Sequence, residues 1–172
     1  MAQTTEEICA GFAALHLPRW AELPDLALYM DQVLSLMERY LGAYPGFDKR
    51  GLTASMVNNY VKQGVLPPPV RKKYDREHLA HLIMICVLKA SMPIAAIQRL
   101  TAAELQRSSL PELYDGFCGL FESTGTAVCA SVQQPSEEDA SPLRPIYCAA
   151  LRAQAEQAIA LRLLAEALPE ES

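Results

Sequence analysis

An all-α protein is what this sequence predicts, on two observations. Apolar residues recur at helical spacing through most of the 172 positions. Residues that start or stop helices bracket nearly every such stretch. A third observation, the segregation of charge along the chain, bears on function.

Thr4-Thr5-Glu6-Glu7 reads as a capping box, in which the first hydroxyl and the third-turn carboxylate satisfy each other's backbone NH groups. Ile8, Phe12 and Leu15 then space a short helix that ends before Pro18. Trp20, between Pro18 and Pro24, is expected to anchor this arm on the core. Residues 25–41 form the clearest amphipathic pattern, with Leu26, Tyr29, Met30, Val33, Leu34, Met37, Tyr40 and Leu41 on one stripe and Gly42 as the stop. Its acids, Asp25, Asp31 and Glu38, make it scaffold rather than a polyanion surface. Residues 42–51 read as a loop.

Thr53 is a good N-cap for the next helix, which runs to about Gln63. Val57, Tyr60 and Val61 share one face; Ser55, Asn59 and Lys62 share the opposite face, flanked by Asn58 and Gln63. Gly64 supplies the left-handed stop, and Pro67, Pro68 and Pro69 cannot continue a helix. After the basic run Arg71-Lys72-Lys73, Asp75 caps a helix to about Ala90 that is apolar on more than one face and is expected to be the central core element. His78 and His81 on it read as a polar helix edge, since no third ligand sits at a supporting position. Pro93 opens a short helix with Ile94, Ile97 and Leu100, and Thr101-Ala-Ala-Glu104 reads as a second capping box continuing to about Ser108.

From Ser109 the composition changes. Residues 111–132 are expected to be helical despite Gly116, Gly119 and Gly125. Residues 133–145, polar, acidic and with three prolines, read as a linker or mobile loop. Ile146 to Leu168 is a last helix whose Leu151, Ala155, Ile159 and Leu163 make a stripe. That stripe either packs on its own domain or forms a homodimer, and the sequence leaves both open. The organisation expected is an N-terminal helix and arm over 1–24, a helical domain over 25–108 and a helical extension over 109–172.

Half the residues are apolar (51%) and a fifth charged (20%), as in ordinary globular proteins. No apolar run is long enough for a membrane span, and the first residues lack a signal peptide's pattern, so a cytoplasmic location is expected. The five cysteines are spread without a Cys-x-x-Cys pair and are read as small core residues, with a thiol sensor at Cys118 and Cys129 a minor alternative. Dinucleotide, Walker, zinc-protease and nucleophile-elbow motifs are absent, so no enzyme activity, catalytic residue, metal or cofactor is expected.

Charge is distributed unevenly. Segment 49–76 holds seven of the fifteen basic residues and one of the twenty acids, giving +6 locally and leaving −11 for the rest of a chain whose net charge is −5. A basic island on an acidic chain is the electrostatic footprint of a polyanion-binding surface. Asn pairs with adenine and Lys with guanine or phosphate, so the face carrying Ser55, Asn58, Asn59 and Lys62 suits base edges and phosphates, and Arg71, Lys72 and Lys73 suit phosphates.

Met56-Val57-Asn58-Asn59-Tyr60, followed by Gly64-Val65-Leu66 and Pro68, resembles the recognition helix and exit of MerR-type winged-helix regulators. Tyr74, Leu79, Leu82, Ile85, Leu88 and Ile97 are similar in spacing to that family's next two helices. More narrowly, Pro24-Asp25-Leu26, Tyr29 to Val33, Asn58 to Lys62 and Leu66 to Val70 resemble a bacterial family of unknown function, number 1836, regarded as MerR-like regulators; the likeness runs from about Leu17 to Leu100. It departs from the MerR pattern in its long preceding helix, in Asn58 where an arginine is common, and in a wing confined to Pro67–Lys73. The resemblance implies a MerR-like winged helix-turn-helix domain with an abbreviated wing, plus a C-terminal helical extension. It also implies a transcriptional regulator that reads double-stranded DNA. The alternatives are a protein-interaction module on the same scaffold and a regulator whose C-terminal helices bind a small ligand.

Overall fold

The computed structural model describes residues 4–44, 47, 50–132 and 143–169. Among them are seven α-helices: α1 (Thr5–Ala13), α2 (Met30–Leu41), α3 (Ala54–Lys62), α4 (Arg76–Leu88), α5 (Ile94–Glu104), α6 (Leu110–Val132) and α7 (Arg144–Ala167). A single 3₁₀ turn, Trp20–Glu22, lies between α1 and α2, and no extended strand occurs among the described residues. The all-α expectation holds. Residues 16–119 form one compact unit; residues 1–15 with 120–172 form another. α6 passes from the first unit to the second.

The larger unit is built around α4. Ten of its thirteen residues, His78 through Val87, are buried, so it has apolar contacts on every side. α2 and α5 pack on it, and α3 packs on α2. Their contributions follow helical spacing: Val33, Met37 and Leu41 from α2, Val57 and Tyr60 from α3, and Ile97 from α5 are buried. Burial, with a further contribution from Cys86, pushes the Tyr60 hydroxyl up to about 12.

The Trp20 arm is anchored as the sequence leads one to expect. Its NH donates to Asp115 Oδ1 at 2.7 Å, and its ring meets Tyr114 edge-on at 6.5 Å. Tyr114 is fully buried and its hydroxyl donates to the Pro18 carbonyl at 2.7 Å, fixing the chain on either side of Arg19.

Three expectations are corrected. α2 begins at Met30, not residue 25, because Leu28 exchanges two backbone hydrogen bonds with Tyr74 (2.7 and 2.8 Å) and Tyr29 becomes the cap, its NH bonded to Gln32 Oε1. Leu26 and Tyr29 are therefore exposed. The Thr101 capping box does not open a helix; Thr101 lies inside α5 and its carbonyl accepts from Leu105. His78 and His81 are not a polar edge but are buried, at 4% and 8% exposure. Each is satisfied locally, His81 Nδ1 by the Glu77 carbonyl at 2.8 Å and His78 by Asp75 and Pro68.

In the smaller unit the buried side chains among the described residues are Cys9, Cys129 and Leu164. Cys129 Sγ donates to the Cys9 carbonyl at 3.3 Å, tying α1 to α6, and Arg152 of α7 hydrogen-bonds to Ser131. A Cβ on Gly125 would stand 3.4 Å from the Phe12 ring, the close approach of α1 that the glycine allows. Four cysteines are buried and Cys148 is exposed. Burial raises the thiols of Cys118 and Cys129, which disfavours the reactive thiolate and fits the core reading. Residues 133–142 of the expected loop lie outside the described residues; Arg144 and Pro145 already belong to α7, Pro145 in the first turn where its missing NH costs nothing.

Burial lowers the His81 pKa below 6.5, with the nearby Glu77 carbonyl acting in the opposite sense. The folded state therefore prefers neutral His81, and its contribution is complete above the unfolded value and lost as pH falls through it. Chemical denaturation should show stability falling from about pH 7 to about pH 5, and His81→Leu should flatten that slope. An unchanged slope in the variant would assign the pH dependence to other groups.

Candidate nucleic-acid interface

Thr53 starts α3 as an N-cap, its hydroxyl accepting from Met56 NH at 3.2 Å. With Val57 and Tyr60 turned into the core, Ser55, Asn58, Asn59 and Lys62 are left exposed on the outer side. Together with Met56 these four border a shallow depression of about 530 Å³. The structure thus brings together the four α3 residues that the sequence nominates. Gly64 then takes φ +70°, where Gln98 Nε2 donates to its carbonyl at 3.1 Å and would crowd a Cβ. Val65 and Leu66 NH groups return to the Tyr60 carbonyl, which closes the helix end before the prolines.

The basic run occupies a two-residue reverse turn. Val70 and Lys73 exchange backbone hydrogen bonds at 3.1 and 3.0 Å, leaving Arg71 and Lys72 at the tip. Both tip residues have positive φ, +51° and +64°, and both are exposed. Positive φ at both central positions is the type I′ arrangement, normally filled by Asn-Gly because other residues are strained there. The cost is of order 1–3 kcal/mol per residue. Proline richness and shortness argue against a hairpin in the sequence; the structure forms the turn nonetheless, by backbone bonds that start only after Pro69.

Both ends of the turn are tied down. Lys73 places its ammonium 5.0 Å from the Tyr29 ring centroid and is half-buried, so of the three nominated cations it is the one drawn towards the domain. Tyr74 is buried, pairs with Leu28 through the backbone and meets His78 edge-on at 5.3 Å. Asp75 caps α4: its carboxylate accepts from His78 NH at 3.3 Å and lies 2.6 Å from His78 Nδ1. Burial raises the Asp75 pKa, but the hydrogen bonds and charge of His78 outweigh it and hold the carboxyl below its ordinary range. His78 Nε2 lies 3.4 Å from the Pro68 carbonyl, so one ring joins the proline segment before the turn to the helix after it. Leu28, Tyr29 and His78 are positioning residues that the sequence reading missed. The Asp75-x-x-His78 spacing is a legible signal, whereas nothing local marks Leu28 as a partner of Tyr74.

Among the described residues no cluster of three His, Cys, Asp or Glu side chains could hold a metal, and no helix is long and apolar enough to cross a membrane.

A helical domain of this kind, with a capped polar helix followed by a basic turn, is shared with a recognised sequence family. The chain belongs to the family described as Domain of unknown function (DUF1836), whose model matches residues 18–117. No curated protein matches the chain, and no solved structure does.

The strain at the tip is testable. Replacing Arg71→Asn and Lys72→Gly together should raise stability by about 1 kcal/mol, or roughly 3 °C in Tm, because the new residues suit the type I′ turn. A decrease in Tm would mean that the two long side chains contribute packing that outweighs their backbone strain.

Proposed function

We propose that this protein is a DNA-binding transcriptional regulator that reads duplex DNA with α3 and grips phosphates with the turn at Arg71 and Lys72. In this reading the larger unit is a MerR-like winged helix-turn-helix domain: α2 is its scaffold, α3 the recognition helix, and the Val70–Lys73 turn an abbreviated wing. One observation carries the proposal. Two exposed cations are held at a tip whose backbone conformation disfavours them, in a segment of +6 on a chain of −5. Strain of this kind persists where a side chain is needed for something other than folding, and cations presented outward serve a polyanion.

α3 supports the specific half of the function. Asn58 and Asn59 offer paired donors and acceptors that match adenine, and Lys62 reaches guanine or phosphate from the last turn. Ser55, in the first turn, is suited to a phosphate or a base edge. Tyr60 is buried and belongs to the core.

Fluorescence anisotropy with a duplex from the region upstream of the gene, and with a scrambled duplex, tests the reading. If Lys62, Arg71 and Lys72 each neutralise a phosphate, the log–log salt slope is about −3 per bound chain. Lys72→Ala should weaken binding to both duplexes alike and reduce the slope by about 0.9. Asn59→Ala should cost about 1–3 kcal/mol on the preferred duplex and little on the scrambled one. Equal losses on both would remove Asn59 from base readout. Absence of binding at low salt would sink the proposal as a whole.

A further inference from the structure

The smaller unit has few buried side chains and an apolar surface. Leu143, Ile146, Tyr147, Leu151, Ile159 and Leu163, all on α7 or at its start, are 57–68% exposed. Every described residue from Leu143 to Ala160 is exposed, and α7 meets its own unit mainly through Leu164, with Leu161 and Leu168 half-buried. Apolar area of this extent on a soluble surface marks an interface.

The order of residues on the open side of α7 identifies what covers it. At 100° per residue, Arg144, Cys148, Leu151, Ala155, Ile159, Arg162 and Glu166 lie within about 40° of one line, opposite Leu164, and Tyr147 and Leu163 flank it on either side. This series is palindromic about Ala155. Turned end for end, Leu151 falls on Ile159, Tyr147 on Leu163, and Arg144 on Glu166, each pair equidistant from the centre. A two-fold axis at Ala155 therefore sets aliphatic and aromatic side chains against one another and closes an Arg–Glu pair at each end. The smallest side chain in the series stands where the two helices come closest. Glu166 already accepts from Arg162 of its own helix at 3.2 Å and would be shared between two guanidinium groups.

We infer that the protein is a homodimer in which α7 pairs antiparallel with α7 of a second copy about a two-fold axis at Ala155. A parallel pairing would instead set Arg144 against Arg144 and Glu166 against Glu166, like charges at both ends. The self-complementarity of charge and shape selects a second copy over an unrelated partner. The inference does not depend on DNA binding, and its test contains no DNA.

Sedimentation velocity of the full chain over roughly a hundredfold range of concentration should show a monomer–dimer equilibrium. One helix pair lies at the small end of the roughly 1,200–2,000 Å² buried by stable complexes, so dissociation should be visible on dilution. Leu151→Glu should weaken the dimer at least about tenfold, while circular dichroism stays unchanged because the site is exposed in the monomer. Arg144→Glu and Glu166→Arg should each weaken it, and the two together in one chain should restore it, since the swap recreates both end pairs.

Register is read by cysteine cross-linking. In the antiparallel pair the two Cys148 thiols are 14 residues, about 21 Å, apart along the axis and cannot join. Ala155→Cys in a Cys148→Ser background should form an interchain disulfide under mild oxidation by a diazene oxidant such as diamide. A Cys148–Cys148 disulfide in the unmutated dimer, failure of the double swap to restore the dimer, or a monomer at every concentration would each overturn the inference.

Discussion

Helix α4 has no side that can face water, and this constraint arranges the rest of the larger unit. Ten consecutive buried residues cover a full revolution several times over, so neighbours must approach from all directions. α2 and α5 meet that demand with stripes of ordinary width, and α3 packs on α2 with a narrower one. α3 has only Val57 and Tyr60 to bury, which leaves the greater part of its surface outward. A helix of nine residues held by two anchors and a capped end has little intrinsic stability. Its outer residues are therefore free of packing duties, and polar side chains there cost the fold nothing. The start of α4 is equally constrained: Asp75 must cap it, and His78, buried in the same turn, must find partners for both ring nitrogens. The partner on the far side is the Pro68 carbonyl, which is how a capping interaction comes to fix the segment leading into the basic turn.

The basic turn sets folding and function against each other. A chain selected for stability alone would place Asn-Gly between Val70 and Lys73, since that pair adopts positive φ with little strain. Arg71 and Lys72 are among the least suited residues for that geometry and among the best suited for phosphate. The surroundings offset the cost through Tyr74: its two backbone bonds to Leu28, its burial and its contact with His78 fix the residue that follows the turn. Tyr29, beside Leu28, adds its ring under Lys73. A turn held by contacts twenty or more residues away in sequence can keep an unfavourable local conformation that its own residues would not select.

This dependence explains what the sequence made legible and what it did not. Caps and stops act within four residues, so Thr53, Gly64 and Asp75 could be assigned from sequence and stand in the structure as assigned. The Ser55, Asn58, Asn59 and Lys62 face followed from helical spacing alone, for the same local reason. The start of α2 was not legible, because Leu26 and Tyr29 continue the helical stripe and only the distant pairing of Leu28 with Tyr74 pulls them out of it. Thr101 failed in the opposite way: its capping pattern is genuine, but the helix from Pro93 was already propagating, and extending a helix is cheaper than restarting one. His78 and His81 looked polar by type, yet each could be satisfied by a partner within four residues or by Pro68, so burial was open to them.

The two units differ in how far they satisfy their own apolar residues. Unit 16–119 turns most of its large side chains inward, including whole faces of α2, α4 and α5. α7 does the reverse, with its aliphatic residues outward and alanines filling much of the remaining circumference. High alanine content makes such a helix locally stable without tertiary support, since alanine has the highest helix propensity. The helix can thus persist before its apolar face is covered. A helix that forms first and is covered later is suited to intermolecular pairing, because association then orders little additional backbone and loses less conformational entropy. Composition and exposure in α7 are therefore two parts of one arrangement. Alanine keeps the helix formed, and the sparse large residues, placed symmetrically about Ala155, determine what it can pair with.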